Sequence, residues 1–289
     1  MSSAPSFSYQ NARAVLATMH AKERAIAPIL REAIGIDVVV PVGFDTDRFG
    51  TFSGEIERTG TPLEAARAKI AAGFSAMPEA QIGIASEGSF GPHPHVPFIA
   101  LGRELVVMID RYRGLELIGF DASPDTNFSH RFAKSTTEAA AFANRIGFPD
   151  QGIIVLGARQ ERPAPDLLVR KSLTNWQELN AAVEAAIELC GHALLETDMR
   201  AHRNSTRMAA IGRATRDLVR LFESRCPHCA IPGFDVADRV PGLPCAWCSE
   251  PTRLIIREVL RCKTCGYEVT RPATSEQTAD PGVCEGCNP

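Results

Sequence analysis

The chain has 289 residues, 45% of them apolar and 22% charged, with nine cysteines and a formal net charge of −3. That length suits one mid-sized α/β domain with a small appendage, and a charge so close to balance singles out no partner. No run approaches the roughly eighteen consecutive apolar residues of a transmembrane helix, and the start lacks the charged-then-apolar pattern of a signal peptide, so a soluble cytoplasmic protein is expected.

In chain order, strand and helix signals alternate. Residues 14–17 read as a short strand, 22–34 as a helix and 36–42 as a buried strand. Thr61-Pro62-Leu63-Glu64 carries a complete helix start: Thr61 as N-cap, Pro62 at the first helical position and Glu64 reaching back as a capping box. Gly73 is expected to stop that helix. Residues 81–85 and 103–110 read as strands, the second turning near Gly114 into 115–120 as a hairpin. Ser135 caps a helix to about Ile146, and 152–156 and 167–170 are further strands. Thr174 with Gln177 opens a long helix to Cys190, a lone thiol read as buried and structural. A helix over 196–220 should link body to tail, with Met208, Ile211, Leu218 and Phe222 near one face and Arg200, Arg203 and Arg207 on another. The expected fold class is α/β, a mixed central sheet flanked by helices over residues 1–192. A helical linker over 193–224 and a zinc-binding tail over 225–289 complete the chain.

The tail holds the other eight cysteines as four Cys-x-x-Cys pairs: Cys226/Cys229, Cys245/Cys248, Cys262/Cys265 and Cys284/Cys287. Each such turn sets two thiolates on one side of a tight knuckle, and two knuckles meeting face to face satisfy tetrahedral zinc. Two structural zinc sites of four cysteines each are therefore expected. A redox dithiol would need one such motif on a βαβ unit, and disulfides would need an oxidising compartment. Zinc also answers a stability question, because some sixty residues with few large apolar side chains cannot fold on burial alone. The run 253–261 between the second and third knuckles suggests a zinc ribbon joining those two, with the first and fourth sharing the other ion. Interleaved or sequential pairing stays open. His228, inside the first knuckle, is read as loop surface.

Several residues of the body have the chemistry of a site. Thr18, His20 and Lys22 lie in a turn between a strand and a helix N-terminus, where unpaired N–H groups and the helix dipole favour an anion. An ordinary capped turn with a solvated lysine is the alternative. Glu87, after a strand and before Gly88-Ser89, is placed to ligate Mg²⁺ with substrate phosphates completing the octahedron, or is a surface acid. Glu64 could join it, although capping explains it fully, and Asp110 at a strand end is a third candidate. The polar, aromatic-spotted loop 44–55 reads as substrate-facing, or as a hairpin. His93 and His95 could contact metal or phosphate, though plain loop histidines explain them better. Asp198, Arg200, His202 and Arg203 could neutralise a triphosphate if their helix folds back over the body. The arginine stripe with a zinc tail would also suit nucleic acid, but the tail carries about as many acids as bases.

Three stretches resemble the inosine-triphosphate pyrophosphatase-like superfamily, especially its non-canonical inosine/xanthosine triphosphatase branch. Residues 15–22 are similar to its opening phosphate-holding turn, with His20 where that family has Asn and Lys22 one residue early. Residues 61–70 with 84–89 are similar to its acidic, metal-holding helix and strand end, and Lys171-Ser-Leu-Thr174 to its closing lysine turn. The resemblance spans about 12–190 and implies a phosphate-binding set of Thr18, His20, Lys22 and Lys171. Such a fold joined to a zinc tail also resembles bacterial proteins known as a domain of unknown function. The expected function is Mg²⁺-dependent hydrolysis of a nucleoside triphosphate or related phosphate compound, with catalytic Glu87, Glu64 and Asp110. A non-catalytic nucleotide- or nucleic-acid-binding protein with a zinc-ribbon interaction module is the alternative.

Overall fold

The structure, a computed structural model, describes residues 9–46 and 60–289. It divides into two compact units, Tyr9–Val219 and Arg220–Pro289. The first is mixed α/β, with two sheets. One sheet holds β1 (Ala12–Leu16), β2 (Ile36–Val39), β3 (Ile82–Pro92), β4 (Ala100–Asp110) and β5 (Leu115–Ser123) in the order β2-β1-β3-β4-β5. β1 runs parallel to both neighbours, whereas β4 and β5 return antiparallel as a hairpin meander. From β1 the chain steps to β2 on one side and then crosses to β3 on the other. The strand order therefore reverses direction at β1.

Helices α1 (Glu23–Ile34) and α2 (Pro62–Ala76) make those two crossings. In α1, Ile26, Leu30 and Ile34 recur every four residues and form its buried stripe. Gly35 ends it at φ 78, its N–H reaching the carbonyls of Leu30 and Arg31, a left-handed cap that glycine adopts without a Cβ penalty. The capping box of α2 is present as expected, but the helix continues past Gly73 to Ala76. A Cβ on Gly73 would stand 3.3 Å from Val15 Cγ2, so that glycine permits close packing on β1 and does not terminate the helix. Ala66 and Ile70 of α2 pack on Ala17, Ala85 and Val107. The opposite face of the sheet meets α5 (Ser205–Glu223), where a Cβ on Gly119 would lie 2.1 Å from the Ala214 carbonyl oxygen.

The second sheet comprises β6 (His130–Ala133), β7 (Ile153–Arg159), β8 (Arg162–Pro163), β9 (Val169–Arg170) and β10 (His192–Thr197), ordered β6-β10-β7-β8 with β9 also on β7. One face is covered by α3 (Thr136–Ile146) and α4 (Trp176–Cys190), which bury Phe142, Leu179 and Val183 against Ile153, Val155 and Leu195. The helix expected from Glu196 begins only at Ser205. Residues 192–197 are instead an inner strand bonded on both sides, because Ala193, Leu194 and Leu195 serve the two faces of one sheet. The cap of α4 falls one residue later than expected: Asn175 receives the Glu178 N–H, and Glu178 receives the N–H of Thr174. Cys190 is buried, its Sγ 2.5 Å from where a Cβ on Gly157 would stand, as a structural thiol requires.

The second unit is built on an antiparallel meander of β11 (Asp235–Pro241), β12 (Ile255–Arg261) and β13 (Glu268–Pro272). Among the described residues, no helix is long and apolar enough to cross a membrane. The expected loop 44–55 lies outside the described residues from position 47 onward.

Candidate functional site

The eight tail cysteines form two groups of four, Cys226/Cys229/Cys262/Cys265 and Cys245/Cys248/Cys284/Cys287, and each could hold a zinc ion. Four sulfurs at ~2.3 Å from a tetrahedral zinc stand about 3.8 Å from one another, whereas a disulfide brings sulfurs to about 2.05 Å. The cross-pair Sγ separations are 3.7 Å for Cys226–Cys265 and 3.6 Å for Cys229–Cys262. In the other group they are 3.9 Å for Cys245–Cys287 and 3.6 Å for Cys248–Cys284. Both groups have the spacing of a metal site and not of a disulfide.

The pairing is interleaved, first knuckle with third and second with fourth, and the expected ribbon of second with third is corrected. β12 is the reason. Its seven residues, at about 3.4 Å each, hold the second and third knuckles roughly 24 Å apart at opposite strand ends. The third knuckle is the β12–β13 turn, where it meets the first around buried Phe234. The second lies between β11 and β12 and reaches the fourth through the Cys245–Ala279 bridge. Three knuckles are followed by a left-handed residue, Ala230 (φ 60), Ser249 (φ 62) and Gly266 (φ 73). The first three knuckles also aim N–H groups at sulfur: those of Cys248 and Trp247 bring the Cys245 thiol down to about 7. His228 lies outside both groups of four and stacks on Tyr267, ring centroids 5.8 Å apart.

In the first unit the space beyond the carboxyl end of β1, beside the middle of β3, gathers five buried charges among the described residues. Lys22, in the turn after β1, donates from Nζ to the Ser86 carbonyl at 2.6 Å. Lys69 of α2 pairs with Glu87 of β3 on one face of the sheet. On the other face, Arg207 of α5 pairs with Glu104 of β4 at 2.5 Å. Three cations thus face two carboxylates. Burial first, then Arg207, pushes the Lys22 ammonium down to about 7, with Glu87 and Glu104 pulling the other way. Glu104 Oε2 and Ser86 Oγ are buried with no hydrogen-bond partner among the described residues.

Thr18, His20 and Lys22 lie in the turn between β1 and α1: Thr18 is buried, and its Oγ1 accepts the His20 N–H at 3.3 Å. The His20 ring stacks on His202, centroids 5.1 Å apart. Burial, then Lys22 and His202, lowers His20 to about 3. Arg200 and Arg203, which flank His202, bond Ser172 Oγ and the Leu173 carbonyl, next to Lys171 in the segment after β9. Asp198 is fully buried and bonded to Arg200. Beside α1 and α5, a groove of about 730 Å³ is bordered by Arg24, His202, Arg213 and Arg216.

The expected trio of Glu87, Glu64 and Asp110 is not one cluster. Asp110 pairs with Ile82, five residues before Glu87 on β3, which places it about 17 Å away and on the opposite sheet face. There it accepts from Tyr9, Gln81 and Arg113 and from the Tyr112 and Arg113 N–H groups, an anchor for the strand ends. Glu64 is exposed and occupied by Thr61, whose backbone and side chain hold its carboxyl below the usual range. His93 and His95 face each other in the β3–β4 turn, centroids 5.9 Å apart, with the His95 N–H donated to His93 Nδ1.

Lys69 and Glu104 were not singled out by sequence and Arg207 only as part of an arginine stripe, yet each left a signal. Lys69 shares the buried stripe of Ala65, Ala66 and Ile70; Glu104 is in phase with buried Val106 and Met108. Arg207, expected on an arginine face turned outward or toward the cleft, is in phase with Ile211, Ala214 and Leu218 and is buried with them. A charge at an apolar-phase position is the mark of a buried, paired ion.

A family model described as a domain of unknown function (DUF6671) matches residues 74–289, from late α2 through the tail. It takes in Glu87, Glu104, Arg207 and all eight tail cysteines, and begins after Lys22 and Lys69. No curated protein matches the chain.

Proposed function

The chain belongs to the DUF6671 family, and since a domain of unknown function brings no activity with it, we propose a function from the residues themselves. The Tyr9–Val219 unit binds the phosphates of a nucleotide beyond the carboxyl end of β1, beside the middle of β3, and hydrolyses a phosphoanhydride bond there. The Arg220–Pro289 unit is a module stabilised by two zinc ions. One observation carries the phosphate reading: among the described residues, Lys22, Lys69 and Arg207 converge, buried, where the strand order reverses, against the two carboxylates Glu87 and Glu104. Open parallel sheets bind ligands at such a reversal, outside the carboxyl ends of their strands. An incoming anion would balance the surplus cation.

The resemblance of residues 15–22, 61–70 and 171–174 to the inosine-triphosphate pyrophosphatase-like superfamily favours a nucleoside triphosphate as substrate and Mg²⁺ as cofactor. With Glu64 and Asp110 engaged elsewhere, the one carboxylate left for an ion is Glu87, which would have to exchange Lys69 for the metal and substrate phosphates, so a three-carboxylate cage is not offered. Bound there, Mg²⁺ would polarise phosphoryl oxygens and acidify water. The chain's own part is positioning and neutralisation: Lys22 and Arg207 as cations, and His20, uncharged, as a hydrogen-bonding wall with Thr18. Lys171 would close the far side.

A second reading, a non-catalytic nucleotide- or nucleic-acid-binding protein, draws on the internal pairing of both crevice carboxylates with Lys69 and Arg207. The two are separated by assaying full-length, zinc-loaded protein on nucleoside triphosphates for pyrophosphate and phosphate, with and without Mg²⁺. Metal-dependent turnover that falls about 10²-fold or more in Glu87→Gln is the expected result. Uniform inactivity of folded protein that still binds tripolyphosphate would replace hydrolysis by binding alone.

A further inference from the structure

A separate cavity of about 310 Å³ opens on the face of the second sheet away from α3 and α4, lined by Phe90, Phe128, His130, Ile154, Glu196 and Met199 among others. Register builds it. Glu196 of β10 lies directly opposite His130 of β6 and Ile154 of β7, so the three side chains stand in a row on one face. Phe90 and Phe128 stack on each other, centroids 6.1 Å apart and planes 26° from parallel, as an aromatic wall. Met199 and Ile154 are buried beside them. Among the described residues, the Glu196 carboxyl has neither an ion-pair nor a hydrogen-bond partner, and it stands apart from the charges of the crevice. One carboxyl in a cavity walled by two aromatic rings, at the small end of the ligand-pocket range, roughly 300–1,000 Å³, is how a protein fixes the orientation of a single ring.

We propose that this cavity binds a planar heteroaromatic ring, Glu196 hydrogen-bonding its polar edge and the Phe90–Phe128 wall covering its face. Burial raises the Glu196 carboxyl above its ordinary value, with His130, the titratable neighbour facing it, acting in the opposite direction. A carboxylic acid both donates and accepts, and so matches the adjacent donor and acceptor on the edge of a nucleobase. Phe90 joins the cavity to the charged crevice, since the Arg207 guanidinium lies 5.3 Å from its ring centroid. The choice of a nucleoside as the ring-bearing ligand rests on the phosphate reading above; the cavity and its carboxyl do not.

Uncharged ligands isolate the cavity. Adenosine, guanosine, cytidine and uridine are titrated into full-length, zinc-loaded protein by calorimetry, and at least one is expected to bind. Its Kd should weaken about tenfold or more in Glu196→Leu and in Phe128→Ala. Glu196→Gln, which keeps a donor and an acceptor, should hold affinity within about threefold and abolish the parent's loss of binding as rising pH ionises the acid. Absence of nucleoside binding in the parent overturns the proposal, as does a folded Glu196→Leu protein of unchanged affinity. Should Glu196→Leu fail to fold, the Glu196→Gln pH profile and Phe128→Ala decide. Inorganic tripolyphosphate, titrated alongside, reports only the crevice: its failure with nucleosides still bound sinks the phosphate reading and leaves the cavity standing.

Discussion

His20 and His202 stack with ring centroids 5.1 Å apart, joining the turn after β1 to the short segment before α5. Two imidazoles so placed, near Lys22, Arg200 and Arg207, resist protonation. Burial is the largest cause, followed by Lys22 and His202, and His20 sits at about 3 against an ordinary 6.5. The unfolded chain takes up that proton first as pH falls. The stability from an uncharged His20 is therefore present above pH 6.5 and lost as pH falls toward about 3. Urea midpoints measured across this window should decline less steeply in His20→Gln than in the parent. Parallel curves would remove His20 as the source.

The interleaved cysteines make a stoichiometric prediction. Cys229 and Cys262 share a group, whereas Cys248 and Cys262 do not. Freshly purified parent should carry two zinc ions per chain by elemental analysis, and Cys262→Ser one. Cys229→Ser/Cys262→Ser should retain one ion, and Cys248→Ser/Cys262→Ser none. A ribbon of second with third knuckle gives the reverse for the two double variants. Chelation of the parent should unfold the meander, because its few buried side chains, among them Phe234, do not amount to a core that folds without metal.

What could be read from sequence was what repeats locally. The Cys-x-x-Cys knuckles and the Thr61–Glu64 capping box are complete within a few residues, and both appear as expected. Metal pairing depends on the strand between knuckles, and a strand with charges at Arg257, Glu258 and Arg261 shows its length only when paired with β11 and β13. β10 was hidden for another reason: six residues directly after a fifteen-residue helix extend the same apolar run. In the crevice, the turn residues Thr18, His20 and Lys22 were legible because a strand-to-helix turn is itself a signal. Their partners Lys69, Glu104 and Arg207 come from three distant elements, and only the tertiary fold shows that charges in apolar-phase positions find each other.

Arg207 and Glu104 are both buried, and a Cβ on Gly88 would lie 2.2 Å from Glu104 Oε1 and 2.9 Å from an Arg207 terminal nitrogen. Removing one partner strands the other charge. Arg207→Met and Glu104→Gln should each cost about 3–5 kcal/mol by denaturant unfolding, and the double variant should cost less than their sum. Additive losses would mean that the two groups do not act as a pair.

Close packing of α5 on β5 depends on Gly119, where an added Cβ would lie 2.1 Å from the Ala214 carbonyl oxygen and 2.4 Å from the Leu218 backbone nitrogen. Backbone atoms cannot swing aside as a side-chain tip does. Gly119→Ala should therefore force the helix off the sheet and cost about 1–3 kcal/mol or more. It should also disturb the Asp217 carboxylate, which accepts the Phe120 N–H at 2.9 Å. Thermal unfolding of the variant checks this, and an unchanged midpoint would show that the helix moves freely.

Lys22 gives the crevice a proton signature. At about 7 its ammonium is held down chiefly by burial and then by Arg207, against Glu87 and Glu104. At pH 8 the free protein therefore keeps Lys22 largely neutral. A bound polyanion stabilises the charged form and raises its pKa, so binding at pH 8 should take up close to one proton, and at pH 6, where Lys22 is already charged, almost none. Calorimetric titration of tripolyphosphate in two buffers of different ionisation enthalpy measures that uptake directly. Lys22→Met should weaken binding and abolish the difference between pH 8 and pH 6. Equal proton uptake in parent and variant would place the anion elsewhere, along the groove bordered by Arg24 and Arg216.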